Sequence, residues 1–469
     1  MNYLSEFVIN KRKDVLIYGA GGVAKDLIIL LKSILPDLYI QIAVSNLEGN
    51  PENINGISVN SIDYYINDSH EYQVIIATMP ETASIIFSDL EKTGFEDIIT
   101  VDEIINIMYQ EIWKEPVSKN KLVLAHGGGA GYGDNGKYIC EAISECSKAI
   151  DLVWGVSDIN KEFPKYIRKV QYGTYDYYKE LGTSLIWIDD QHKNFFSRKR
   201  SGQFYIQTWH GIGPIKRIEY DADSLPSSYL RTCDLNSEME DLFISASSFN
   251  SEQCRRAFHY YGDILECGYP RNDILFNNSF DVDKLKSKLG INNKRIVLYA
   301  PTFREGNKPI RPDFNNLISA LEYRFKEDFV VLIRLHPVDK SKDQIVFDDR
   351  IINVTNYDDV QELLRISDIL VTDYSSIMWD FSLQKKPVFL FHPDDKKYQE
   401  ERGNYLKFSD MPYIEAESNE DLREKIKNYD EGQYIKALSD FFAKYKSFDM
   451  GDASKKIADF IISKIVTED

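Results

Sequence analysis

Short apolar runs recur along this chain, each followed by a polar or glycine-rich turn and then by apolar residues at helical spacing. The first run, Asp14-Val15-Leu16-Ile17-Tyr18, turns through Gly19-Ala20-Gly21-Gly22 into an amphipathic stretch from Val23 to Ile34. Further strands are predicted at Ile40 to Val44, Gln73 to Ala77 and Ile98 to Val101, ending at a linker near Glu115-Pro116-Val117-Ser118. The rhythm restarts at Lys121 to Ala125, with the loop His126 to Gly133 and a helix over Lys137 to Ser147. Strands follow at Leu152 to Gly155, Ser184 to Ile188, Gln203 to Thr208 and Leu242 to Ala246. A third segment runs through Arg295 to Ala300, Phe329 to Leu335, Ile351 to Val354, Ile369 to Thr372 and Val388 to Phe391, and a last helix starts at Ala453. Strands alternating with helices predict parallel sheets covered on both faces, an α/β chain with a cleft between two facing halves.

At 469 residues the chain exceeds one ordinary core. A hydrophobic content of 43% with 28% charged residues is that of a globular protein, and no apolar run approaches the length of a bilayer span. No secretory leader pattern is present at the N-terminus, so a cytoplasmic protein is expected. The net charge of −18 argues against nucleic acid as a partner. Two local basic stretches run against that average: Lys193 to Arg200, and Lys216-Arg217. They read either as solvated surface or as an electropositive rim facing phosphates or an anionic membrane. Cys140, Cys146, Cys233, Cys254 and Cys267 form no CxxC pair, so spacing indicates neither a zinc site nor a disulfide framework.

Candidate chemistry lies just past the predicted strands, where open α/β sheets bind ligands. Gln207-Thr208-Trp209-His210-Gly211 puts an imidazole on a tight turn. Arg334-Leu335-His336-Pro337 places a guanidinium and a second imidazole at a sheet edge, a pair suited to a diphosphate. Thr372-Asp373-Tyr374-Ser375-Ser376 precedes a helix and reads both as a cap and as a phosphate seat, with Asp380 one turn on, in reach of a hydroxyl. Gly268-Tyr269-Pro270-Arg271-Asn272-Asp273 is either a hinge or a substrate contact through Arg271. The glycine-rich loop after Ala125 is a flexible turn or a place of close ligand approach, with Asp134 or Asn135 as helix cap. Gly19, Gly21 and Gly22 fit a relaxed dinucleotide fingerprint, but Asn46 stands where the ribose-binding acid belongs, with Glu48 slightly beyond. No clustered metal-ligand set is visible.

Together these residues resemble the CDP-glycerol glycerophosphotransferase family of teichoic acid and capsule alditol-phosphate transferases. Tyr299-Ala300-Pro301-Thr302-Phe303-Arg304, Lys386-Pro387-Val388 and Arg402-Gly403 complete the set of motifs, which run in order from Lys121 to the C-terminus. The resemblance implies a GT-B-type pair of Rossmann-like domains preceded by a small Rossmann-like domain. The expected divisions are 1–117 (accessory), 121–285 (acceptor side) and 290–469 (donor side), with the last helix packing back on the preceding domain. It implies His210 and His336 as catalytic groups, and Gly211, Arg271, Arg304, Arg334, Thr372, Asp373, Ser375, Ser376, Asp380 and Arg402 as substrate-binding. The expected donor is CDP-glycerol or CDP-ribitol, without a required cofactor or metal. The expected acceptor is a lipid-linked or polymeric saccharide or alditol phosphate at the inner face of the cell membrane, where the protein would be peripheral. A nucleotide-sugar glycosyltransferase of the same fold and a non-catalytic nucleotide-binding assembly protein are the alternative readings. Ile212-Gly213-Pro214-Ile215 makes the turn after His210 one residue longer than many family members have, and acceptor choice is expected to differ there.

Overall fold

The computed structural model describes residues 9–466 apart from 11, 148, 212–215, 224, 292, 303–310, 336–344 and 394–402. Among the described residues there are three sheets. The first has the order Asn53–Ile54, Ile57–Ser61, Ile40–Val44, Asp14–Tyr18, Tyr72–Ile76, Asp97–Thr100, and only its outermost pair is antiparallel. The second, of seven parallel strands, has Ser118–Ala125 and Ser184–Asp189 at its centre, with Phe204–Gln207 next to the latter. The third, of six parallel strands, centres on Arg295–Tyr299 between Phe329–Ile333 and Ile369–Thr372.

Central strands such as Val297 to Tyr299 and Val330 to Ile333 are nearly or wholly buried, because helices cover both sheet faces. Continuous β-branched runs are the sequence signature of that placement. The last helix, Ala453–Val466, leaves the third sheet and buries Ala453, Ile457, Ala458 and Ile461 against Leu122, Ile139 and Ile186 of the second. The first sheet joins the second through Tyr109, Tyr177 and Tyr178, in one core with Val15, Ile42 and Val123. No described helix is long and apolar enough to cross a membrane.

The basic stretch from Lys193 is neither solvated surface nor an open rim. Lys193 is fully buried, with Nζ 2.5 Å from Asp189 Oδ2 and 2.9 Å from Tyr177 Oη. Arg198 donates to Asp102 at 3.0 Å, Lys199 pairs with Asp241, and Arg200 donates to the carbonyls of Trp113 and Glu115. Arg198 and Arg200 thus tie the first unit to the second, while Lys193 and Lys199 pair within the second. Arg217 pairs only loosely with exposed Asp223, at 3.4 Å.

Candidate active site

The Trp-His-Gly corner follows the strand Phe204–Gln207 at the carboxyl edge of the second sheet. Two residues there carry positive φ, Trp209 at 52° and Gly211 at 110°. The left-handed conformation costs a non-glycine residue about 1–2 kcal/mol, so the corner needs external support. Gln207 Oε1 accepts the Trp209 N–H at 2.9 Å, and Asn135 Nδ2 donates to the Trp209 carbonyl at 2.8 Å. Gln207 is itself anchored by Glu240 Oε1 at 3.0 Å. The polar residues before the histidine therefore hold its backbone.

His210 is exposed and stacks on Trp209, ring centroids 4.5 Å apart. Its Nδ1 lies 2.7 Å from the backbone carbonyl of Asp190. A carbonyl only accepts, so Nδ1 carries the proton and Nε2 presents its lone pair outward. Beneath this contact the Asp190 carboxylate accepts from His126 Nδ1 and, at 2.9 Å, from the Gly127 N–H. Burial opposes a charge on His126, but the Asp190 bond and the carboxylates of Asp190, Asp134 and Asp359 outweigh it and push the imidazole up to about 9. The glycine-rich loop thus sets a His126–Asp190 pair behind the His210 corner.

Asp134 and Asn135 do not cap the helix Asp134–Cys146; Gly133 holds the N-cap position, without a side-chain bond. Instead Asn135 Oδ1 accepts the Arg271 N–H at 3.2 Å, and Asp134 Oδ2 accepts from Arg271 Nη1 at 2.9 Å. Arg271 Nη2 reaches Asp380 Oδ2 at 2.8 Å, which also accepts from Gln361 Nε2 at 3.1 Å. Arg271 and Asp380, expected as substrate contacts, thus have protein partners here. Arg271 and Asp380 are 4% and 5% exposed and spend their charges on each other. Burial raises the Asp134 carboxyl, but Arg271 and His126 outweigh it and hold it below the usual range; burial raises Asp380, with Arg271 opposing. Asn272 extends the network to Asp449 Oδ1 at 3.2 Å, and burial pushes Asp449 up to about 7.

Through this network the two halves meet. A Cβ on Gly211 would lie 2.4 Å from Arg271 Nη2 and 3.5 Å from Ser376 Oγ, so the corner faces the Ser375-Ser376 turn directly. Lys137 Nζ is 2.7 Å from Asp359 and 2.5 Å from Glu362. Gly403 accepts the Arg217 N–H at 3.2 Å, tying the last motif to the segment after His210.

Ser375 and Ser376 are half-exposed, and Ser376 occupies the N-cap of Ile377–Ser382 with no side-chain cap bond. Thr372 and Asp373 are both buried. Thr372 Oγ1 donates to the Ala300 carbonyl at 2.6 Å, and Asp373 Oδ1 accepts the Thr302 N–H at 2.7 Å. Arg334 is half-buried with its Nε unpaired; burial lowers its affinity for its proton, against the pull of Asp359, Asp358 and Asp134. His336, Arg304, Arg402 and the 212–215 turn lie outside the described residues. At the first sheet, Gly19 has φ 123° and Gly21 precedes the helix without a side-chain cap, while Asn46 Oδ1 accepts the Glu48 N–H at 3.0 Å within its own loop. His126, Asp134 and Asp190 lie close enough to share a cation, but Arg271 and the His126 proton already neutralise those carboxylates. Asp190, His126 and Gln207 were not singled out as supports of His210 from sequence.

The profile of the CDP-glycerol:poly(glycerophosphate) glycerophosphotransferase family matches residues 107–463. A teichoic acid poly(glycerol phosphate) polymerase of Staphylococcus epidermidis is 31% identical over 71% of this chain and 49% of its own length. The matched region thus spans about half of that relative. A teichoic acid glycerol-phosphate transferase of Staphylococcus aureus is 31% identical over 70% of this chain and 89% of its length. Among solved structures, the wall teichoic acid polymerase TagF superposes with a TM-score of 0.70 at 30% identity, covering 78% of this chain and 95% of that one. A TagF variant soaked with CDPG gives 0.69 at 30% identity, with 78% and 94% covered. This chain belongs to the CDP-glycerol:poly(glycerophosphate) glycerophosphotransferase family.

Proposed function

We propose that this protein transfers glycerol phosphate, or a related alditol phosphate, from a CDP-alditol to a hydroxyl of a teichoic-acid-type acceptor and releases CMP. The observation that carries the reading is His210. Its Nδ1 is committed to the Asp190 carbonyl, which leaves Nε2 for the acceptor, and the next residue, Gly211, faces Ser376 across the seam between the halves. Nε2 takes the proton from the acceptor hydroxyl as that oxygen attacks the phosphorus bearing the alditol. The bond from that phosphorus to the bridging oxygen breaks, and CMP leaves with the electron pair. Phosphoryl transfer asks mainly for positioning and charge neutralisation. Arg334, His336 and the Ser375-Ser376 turn are assigned to the diphosphate, and Gly211 to close approach of the acceptor. Arg304 and Arg402 are assigned to the donor. Arg271 and Asp380 keep the two halves in register. A lipid-linked acceptor puts the reaction at the inner membrane surface, with the protein peripheral to it.

The test is the nucleotide released from a panel of CDP-glycerol, CDP-ribitol and UDP-sugars, followed by mass analysis of the product. CMP from a CDP-alditol supports the reading. Release of UDP alone, or binding without turnover, overturns it.

A further inference from the structure

His192, Glu219 and Cys233 form a buried cluster that the transfer chemistry does not use. An imidazole nitrogen, a carboxylate oxygen and the thiol sulfur all lie within 4.8 Å of one another. Three separate elements supply them: the loop after Ser184–Asp189, the turn Glu219–Asp221 and the helix Ser227–Met239. Cys233 is fully buried, Glu219 is 3% exposed, and the His192 side chain 8%. Both His192 ring nitrogens and Glu219 Oε2 lack a hydrogen-bond partner.

His192 Nε2 and Glu219 Oε2 are 3.4 Å apart without the alignment of a hydrogen bond. Two ligands on one tetrahedral zinc, with bonds of about 2.0–2.1 Å, stand about 3.3 Å apart. Glu219 has φ 46°, a conformation that costs a residue with a side chain. Its other oxygen is held by Tyr229 Oη at 2.9 Å. Glu240 borders the set, with Oε2 also unpartnered.

We propose that His192, Glu219 and Cys233 bind a zinc-class divalent cation behind the Trp209-His210 corner. A thiolate with an imidazole and a carboxylate suits zinc and disfavours magnesium or calcium, which prefer all-oxygen shells. One thiolate and one carboxylate neutralise a dication. Binding replaces the S–H bond of Cys233 with a metal–sulfur bond, and the proton goes to solvent. The His192 ring lies 5.1 Å from the Trp209 ring, which stacks on His210, so the ion braces the corner from behind and takes no part in the transfer.

Elemental analysis of the purified full chain after gel filtration should find about one zinc per chain. Cys233→Ala should lower that content by at least ~10-fold. If Cys233→Ala does not fold, X-ray absorption on the unmodified protein decides, with one sulfur and two or more nitrogen or oxygen neighbours expected. Three results each overturn the proposal. They are no retained zinc after incubation with an equimolar amount, undiminished zinc in Cys233→Ala, and a shell without sulfur.

Discussion

Arg271→Met removes one of the cations that join the two halves while keeping most of the side chain's volume. The guanidinium lies 2.9 Å from Asp134 and 2.8 Å from Asp380, with the three side chains 5%, 10% and 7% exposed. Each attraction is worth about 4 kcal/mol gross at an effective dielectric of about 20 and ~4 Å between charge centres. Desolvation of the guanidinium offsets much of that, and loss of one partner from such a buried set costs about 3–5 kcal/mol. The penalty depends on pH. In the parent protein the Asp134 carboxyl is held low, so its contribution is present above the ordinary carboxylate range and fades as pH falls through its folded value. Without Arg271 both buried carboxyls rise, and stability is then lost as pH rises through their new values. Urea unfolding followed by tryptophan fluorescence at pH 5.5 and pH 8 reads this directly. The expected loss is about 3–5 kcal/mol at pH 8 and clearly smaller at pH 5.5. A loss below about 1 kcal/mol at pH 8, or an equal loss at both pH values, refutes the reasoning.

Three further changes probe neighbouring links. Gly211→Ala puts a residue at φ 110° at a cost of about 1–2 kcal/mol and drives its methyl onto Arg271 Nη2, so CMP release should fall at least ~10-fold; activity within twofold of the parent contradicts the close approach. Asp449 is pushed up to about 7 by burial, so its contribution to stability is present at acid pH and lost as pH rises through about 7. Asp449→Asn keeps an acceptor for the Tyr269 N–H and should flatten that part of the stability–pH profile, and an unchanged slope counts against the assignment. Lys137→Met leaves Asp359 and Glu362 without their cation one helical turn from Asp134 and should cost about 3–5 kcal/mol in the same urea assay. No measurable change there means that this contact does not hold the halves.

Central strands were legible because full burial demands continuous β-branched and aromatic runs: Ile369–Thr372 and Val388–Phe391 stand where the pattern puts them. The two edge strands of the second sheet were not. Ile167–Gln171 and Asp263–Glu266 carry charges on exposed positions, and neither alternation nor an apolar run marks them. At the site, His210 was legible from its turn, since a histidine beside glycine at a strand end has few structural uses. The supports of His210 were not, because Asp190 acts through its backbone carbonyl, which no residue type encodes. Arg271 and Asp380 read as substrate contacts from their chemistry, and their pairing with each other and with Asp134 shows only in the fold. Cys233 and His192 are 41 positions apart, 233 minus 192, so no spacing rule joins them.

The central claim is that His210 Nε2 takes the proton of the acceptor hydroxyl. Turnover of radiolabelled CDP-glycerol with acceptor, compared between the parent protein and His210→Ala, tests it most directly, with donor binding measured alongside. The account predicts a fall in CMP release of about 10²–10⁴-fold with donor affinity unchanged. Near-normal turnover in His210→Ala contradicts it.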